Sequence, residues 1–381
     1  MRRTLLVTND FPPRLGGIQT FLENYVRRLP AADIVVYAST ENTGDPDGAT
    51  SEYDKTTPWK TYRYPGAMML PSPRVRREMV RIICQERIHT VWFGAAAPLG
   101  LLAPAARAAG AKRVIVTTHG HEIGWTMFPG ARFLVKKIFR AADVVTYISD
   151  YTLRRLRKTI GTTPVAHLPG GIDTDVFRPN EDARQRLRHR YSLGSGPVVL
   201  CLSRLVPRKG QDLLIKAWPA VTKVVPEAKL VIGGRGRYEK TLKKLAAVSS
   251  AHKNIVFTGA ISPAELADHY ALADIFAMPC RTRGGGLDVE GLGIVYLEAG
   301  ACEIPSIAGN SGGAPETIRE GETGFVVDGR DATVLVERIC QLISRPLLRT
   351  RMGNNARDFV AKNWHWDLLA KHLIRLCNNE N

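Results

Sequence analysis

Short runs of apolar and β-branched residues recur along the chain, and helical patterns follow most of them. "TLLVTN" (4–9), "DIVVYA" (33–38), "TVWFGA" (90–95), "RVIVTTHG" (113–120) and "DVVTYIS" (143–149) form a first series. "PVVLCLSR" (197–204), "AKLVIGG" (228–234), "NIVFTG" (254–259), "DIFAMPC" (274–280), "PSIAG" (305–309) and "TGFVV" (323–327) form a second. Continuous apolar runs of this length predict strands buried on both faces, and their alternation with helices predicts parallel sheets. Between the series lies "PGGIDTDVFRPNEDARQRLRHRYSLGSGP", rich in Pro, Gly and charge, which reads as an interdomain link. The expectation is an α/β chain of two doubly wound, Rossmann-like domains, whose ligands bind at the carboxyl ends of strands. No internal repeat or low-complexity segment interrupts the pattern.

A length of 381 residues suits two domains, and 44% hydrophobic residues supply their cores. No apolar run reaches the roughly 18–20 residues that span a bilayer. The N-terminal "MRRTLLVTNDFPP" reads as a first strand rather than a secretory leader. Six cysteines (84, 201, 280, 302, 340 and 377) lack any CxxC or zinc spacing, which predicts reduced thiols in a cytoplasmic protein. The net charge is +17, of which +10 falls in residues 1–178. Such an excess fits an anionic partner, whether nucleic acid, nucleotide or acidic lipid, and equally fits a well-solvated surface.

Four stretches carry candidate chemistry. In "FPPRLGGIQTF", Gly16 and Gly17 stand where a loop becomes a helix. Such a place serves either as a simple turn or as a phosphate contact, since helix N-termini offer unpaired N–H groups. In "SRLVPRKGQDLLIKA", Arg204 and Lys209 follow a strand and precede a helix. They are either solvated loop cations or a diphosphate site, with Arg chelating two oxygens and Lys acting as a point charge. "LVIGGRGRYEK" looks like a dinucleotide fingerprint, but Glu239 stands at its third glycine position and the next strand lacks the acidic residue that holds a ribose. Finally, "RTRGGGLDVEGLGIVYLEAGACEIPSIAGNSGGAPE" places Glu290 before a helix and Glu298 about two turns into it. Small and apolar neighbours argue against a solvated face there. Carboxylates that accept from hydroxyls, cations for a diphosphate and helix N–H groups for oxyanions together suit a nucleotide sugar.

The two glutamates with seven residues between them, followed by a strand and "SGGAPE", resemble the retaining family 4 glycosyltransferases of GT-B architecture. "FPPRLGGIQTF", "SRLVPRKGQD" and "ETGFVV" match that family's landmarks in order, over essentially the whole chain. "THGHEIGW" and the long loop "RTRGGGLDVEG" are most similar to its actinobacterial, GDP-mannose-dependent branch acting on phosphatidylinositol mannosides. The resemblance implies two domains facing a deep cleft: an acceptor and membrane-side domain at 1–170, a nucleotide-sugar domain at 171–359, and a closing helix from about 360 to 381 packing back on the first. It implies that Gly16 and Gly17 approach the donor phosphates, while Arg204 and Lys209 bind the diphosphate. Glu290 would hold mannose hydroxyls and Glu298 ribose hydroxyls. The amides of Gly293, Ile294 and Val295 would contact mannose and phosphate, and Ile261 the base. His119 of "THGHE" would face the reacting sugar, with His121 a competitor for that role. No metal or other cofactor is implied, because cations offset leaving-group charge.

The implied acceptor is an anionic phosphoinositol glycolipid in the inner leaflet, reached by peripheral contact from the cytoplasmic side, with no nucleic acid involved. Three segments of the first domain offer basic surfaces: 72–83 with Arg74, Arg77 and Arg81, 131–142 with Arg132, Lys136, Lys137 and Arg140, and 152–160. Basic amphipathic helices lie at anionic membranes, although each also fits ordinary packing of its apolar side on a sheet. Trp364 and Trp366 in the closing segment read as anchors rather than sugar platforms. A GT-B enzyme using another sugar nucleotide, and a non-catalytic lipid- or nucleic-acid-binding protein, are the competing classes.

Overall fold

The structure, a computed structural model, describes residues 1–40, 45 and 48–380. It divides into two compact units, Met1–Gly170 with Trp366–Asn381, and Gly171–His365.

The first unit holds β1 (Thr4–Thr8), β2 (Ile34–Ser39), β3 (Lys60–Tyr64), β4 (Thr90–Phe93), β5 (Arg113–Thr117), β6 (Val144–Tyr147) and β7 (Val165–His167). They form one parallel sheet in the order β3-β2-β1-β4-β5-β6-β7. Alternate residues of β1 serve opposite faces. Leu5 and Val7 join one buried cluster with Val75, Met79 and Ile138, while Leu6 joins the other with Leu22, Tyr25 and Trp366. Burial on both faces is why the strand reads as an unbroken apolar run. β3 and β7 were not expected: "KTYRY" and "VAH" are edge strands, half exposed, with no aliphatic run to betray them.

The second unit holds β8 (Val198–Leu202), β9 (Lys229–Gly233), β10 (Ile255–Gly259), β11 (Ile275–Met278), β12 (Ser306–Gly309) and β13 (Gly324–Val327), parallel and ordered β10-β9-β8-β11-β12-β13. The direction of winding reverses between β8 and β11. The crevice at their carboxyl ends is therefore the topological switch point, where open α/β sheets bind ligands.

The closing segment breaks between the Pro346–Asn363 helix and the Trp366–Asn378 helix. Trp364 is buried with Leu297 and Val360 of the second unit, and Trp366 is buried against Tyr25 of the first. The segment belonging to the first unit thus starts at Trp366, later than 360. All six cysteines are free. Among the described residues, no helix is long and apolar enough to cross a membrane.

Candidate active site

Two loops at the β8–β11 switch point converge through backbone constraints. After β8, the chain makes a 3-10 turn, Pro207–Lys209, and enters the Gln211–Val224 helix through Gly210. Gly210 has φ 80°, and a Cβ there would stand 2.1 Å from the carbonyl oxygen of Pro279. Only glycine permits that approach to the end of β11. Glu290, at the far end of the loop that follows β11, is gripped by "SGG". Its N–H donates to Ser311 Oγ at 3.4 Å, and its carbonyl accepts from Gly313 N at 3.0 Å. A Cβ on Gly312, whose φ is 58°, would lie 1.8 Å from that same carbonyl.

These constraints bring Lys209 Nζ to 2.6 Å from Glu290 Oε2, with both side chains only 9% exposed. The contact is an ion pair rather than a well-aligned hydrogen bond, since Oε2 has no hydrogen-bond partner. Arg208 adds a second cation, its Nε 3.8 Å from the same oxygen and its guanidinium 3.6 Å from Asp288. The sequence reading passed over Arg208, although it stands inside the quoted "PRKG". Arg204 is placed differently: its side chain is exposed and makes no ion pair among the described residues. Behind the loop, Arg281 bridges both oxygens of Asp212 at 2.7 and 2.9 Å, tying the loop after β11 to the Gln211–Val224 helix.

The Ile294–Ala301 helix begins at Gly293. It is fixed on one side by the Tyr296 hydroxyl, which donates to the Met278 carbonyl at 2.5 Å, and on the other by Leu297 and Ala301 against Val360 and Trp364. The first-turn N–H groups of Ile294 and Val295 have no intrahelical acceptor and stand just beyond Glu290. Glu298 is half-buried and accepts a 2.5 Å hydrogen bond from the Tyr270 hydroxyl. Burial pushes its carboxyl up to about 7, against the opposing pull of that hydrogen bond and of the Lys209 charge. Tyr270 carried no sequence signal, being 28 positions from its partner. Ile261 is half-buried in the loop after β10. The false fingerprint "GGRGR" has another task. Leu205 N donates to Arg235 O and Tyr238 N donates to Leu205 O, so this loop braces the one carrying Arg204.

In the first unit, Gly16 caps the Gly17–Val26 helix with an extended backbone. A Cβ on Gly17 would meet nothing within 4 Å, so packing does not demand glycine there. His119 follows β5. Its Nε2 lies 2.7 Å from the Gly94 carbonyl, which makes Nε2 the protonated nitrogen and leaves Nδ1 the acceptor. Burial holds its basicity below that of an ordinary histidine. The buried Glu122 accepts from the N–H groups of both His119 and Gly120 at 3.0 Å, fixing the loop. His121 is the more exposed of the two histidines.

The three basic segments prove unlike one another. Val75, Met79, Ile82 and Ile83 of the Pro73–Gln85 helix are all buried, as are Leu156 and Ile160 of the Asp150–Ile160 helix. Their cations are the solvated side of ordinary packed helices. The Pro129–Ala141 helix buries Val135, Ile138 and Phe139 but leaves Phe133 68% and Leu134 41% exposed. Trp125, Met127 and Phe128 continue that apolar exposure into the preceding turn. Arg132, Lys137 and Arg140 stand exposed among them.

Comparison with known proteins agrees with this fold. Residues 184–359 match the family described as Glycosyl transferases group 1, and residues 15–176 that described as Glycosyltransferase Family 4. The chain is 49% identical over 377 residues to a GDP-mannose-dependent alpha-(1-6)-phosphatidylinositol monomannoside mannosyltransferase of Mycolicibacterium smegmatis, covering 98% of this chain and 97% of that one. It is 48% identical over 382 residues to a GDP-mannose-dependent monoacylated alpha-(1-6)-phosphatidylinositol monomannoside mannosyltransferase of Corynebacterium glutamicum, covering 100% of this chain and 98% of that one. The crystal structure of Anabaena HepE in complex with UDP shares the fold with a TM-score of 0.82 at 17% identity, covering 100% of both chains. The fold is GT-B, and with close relatives along its whole length the chain belongs to the family 4 glycosyltransferases.

Proposed function

We propose that the chain transfers mannose from GDP-mannose to a phosphatidylinositol monomannoside, with retention at the transferred carbon and without a metal ion. The observation that carries this reading is the buried Lys209–Glu290 pair at the mouth of the Ile294–Ala301 helix. A buried ion pair is a costly arrangement for stability alone, since desolvation offsets most of its attraction. It becomes useful when a ligand supplies an anion to the lysine and hydroxyls to the carboxylate. A sugar diphosphate has both.

In this reading Lys209, with Arg204 and Arg208, binds the diphosphate and stabilises the charge growing on departing GDP, the task a divalent ion performs elsewhere. Glu290 accepts from mannose hydroxyls, and the amides of Gly293, Ile294 and Val295 contact mannose and phosphate. Glu298 accepts from the ribose, and Ile261 lies against the base. In the first unit, Gly16 and Gly17 admit the phosphates, and His119 offers neutral Nδ1 to the reacting sugar. The departing phosphate accepts the acceptor's proton in a front-face attack, because every carboxylate named here already has a binding task.

The acceptor is membrane-embedded, and the exposed face of the Pro129–Ala141 helix is the contact we assign to it. Phe128, Phe133 and Leu134 enter the interface while Arg132, Lys137 and Arg140 meet anionic head groups, each cation contributing about 1 kcal/mol. In this reading the enzyme works peripherally at the inner face of the cell membrane. Calorimetric titration with GDP, UDP and ADP tests the donor assignment. Preference for GDP supports it, and tighter binding of UDP favours another nucleotide sugar on the same scaffold.

A further inference from the structure

A second cavity, of about 420 Å³, lies at the carboxyl ends of β2 and β3, beside the Pro73–Gln85 helix. Its wall includes Tyr37, Tyr64, Arg74, Arg77, Glu78 and Arg81. None of these residues belongs to the site described above. Tyr37 is fully buried, and its hydroxyl has no hydrogen-bond partner. A phenylalanine would fill the same space without leaving a polar atom unsatisfied.

The cations of the wall divide into two kinds. Arg63, also in the wall, spends its guanidinium on Asp54 and on the carbonyls of Ser39 and Pro12. Arg81 is paired with Glu78 at 2.6 Å. Arg74 instead stacks over the Tyr64 ring at 5.5 Å, and among the described residues neither it nor Arg77 has a carboxylate partner. Tyr37 lines the same cavity as Glu78, Arg74 and Arg77.

We propose that this cavity binds a phosphate group, with Arg74 and Arg77 supplying charge and the Tyr37 hydroxyl donating a hydrogen bond. Guanidinium groups match phosphate oxygens in geometry as well as in charge, and the carboxyl ends of parallel strands are where such folds hold ligands. The phosphate comes either from a lipid head group or from a soluble molecule. The proposal is independent of the donor reading.

The test is calorimetric titration of inorganic phosphate into protein saturated with GDP, so that the donor site is filled. Expected is one saturable site, weakened about tenfold or more by Arg74→Gln or Arg77→Gln. Tyr37→Phe should also weaken it, and should abolish the rise in thermal midpoint that phosphate produces. Because this variant removes only an unpartnered oxygen, its midpoint without phosphate should equal or exceed the parent's. Vesicles of phosphatidylcholine with and without phosphatidylinositol phosphate separate the sources. If Tyr37→Phe also weakens binding to the phosphoinositide vesicles, the phosphate is a lipid's. If it weakens inorganic phosphate binding alone, the phosphate is soluble. Phosphate heats that do not saturate, or that are equal in all three variants and the parent, overturn the site.

Discussion

Lys209 Nζ and Glu290 Oε2 stand 2.6 Å apart, in side chains that water scarcely reaches. Each neutralises the other in a place where neither charge is tolerated alone. Removing Glu290 leaves Lys209 buried and unpaired, at a cost of about 3–5 kcal/mol, and removing Lys209 leaves Glu290 only the longer 3.8 Å contact with Arg208, whereas removing both leaves neither member of the buried pair behind. Lys209→Met and Glu290→Gln should therefore each lower stability strongly, while the double variant recovers most of it. Turnover should not recover: both singles and the double should lose roughly two orders of magnitude or more. Denaturant unfolding and transfer rates on the four proteins of the cycle measure both quantities. Additive losses of stability would show the pair to be uncoupled.

Glu298 gives a pH signature. Its carboxyl titrates near 7 in the folded protein against 4.5 for an ordinary glutamate, because burial disfavours its charge. Between these values the native state binds more protons than the unfolded chain, so this group's contribution to stability falls as pH rises from about 4.5 to 7. Glu298→Gln cannot ionise. It should be more stable than the parent above pH 7, by up to about 3 kcal/mol, with the difference shrinking towards pH 4. Under the proposed ribose role, the same variant should bind GDP more weakly above pH 7, since the ribose hydroxyls would lose a charged acceptor. A stability difference that does not change with pH would mean that Glu298 titrates normally.

Metal independence is checked directly. Lys209 and Arg208 stand beside Glu290, and in the proposed mechanism these cations meet the charge that develops on the leaving group. Transfer should proceed unchanged in excess EDTA. Loss of activity restored by magnesium or manganese would refute the metal-free reading.

The proposed membrane face predicts a separable defect. Phe133→Ser with Leu134→Ser removes two exposed apolar side chains without touching the buried Val135, Ile138 and Phe139. Binding to vesicles rich in acidic phospholipid should weaken about tenfold or more, given roughly 1 kcal/mol or more for each apolar side chain withdrawn. Transfer to lipid should slow in parallel, with GDP affinity retained, and salt should release the parent from the same vesicles. Equal sedimentation of parent and variant would place the contact elsewhere.

Much of this architecture was legible because burial on both faces writes itself into sequence. Leu5, Leu6 and Val7 are apolar in succession since they alternate between two buried layers, and the runs at 197–204 and 274–280 are likewise buried throughout their strands. Edge strands carry no such mark, which is why β3 and β7 went unseen. In the site, Glu290 could be picked out because the stretch after it is small or apolar, and Lys209 because it follows a strand and precedes a helix, but their 2.6 Å contact could not. That contact depends on Gly210 passing against Pro279 and on Gly312 wrapping the Glu290 carbonyl, both relationships between distant segments. Tyr270 reaches Glu298 from another helix, and Glu122 steadies His119 through backbone N–H groups. Neither role leaves a trace in composition or spacing. Charge misled in a specific way: the cations of residues 72–83 resemble those of 131–142, yet only the second helix itself leaves large apolar side chains exposed.

The central claim, that this enzyme moves mannose from GDP-mannose to a phosphatidylinositol monomannoside, is tested most directly by competition. Purified protein is offered GDP-mannose, GDP-glucose, UDP-glucose and UDP-galactose at equal concentration, with phosphatidylinositol monomannoside in vesicles, and the lipid products are resolved by mass and sugar composition. The account predicts a single product, the acceptor carrying one further mannose, with the parent active and Lys209→Met nearly silent. A product built from another sugar, or mannose transferred equally well by Lys209→Met, would contradict it.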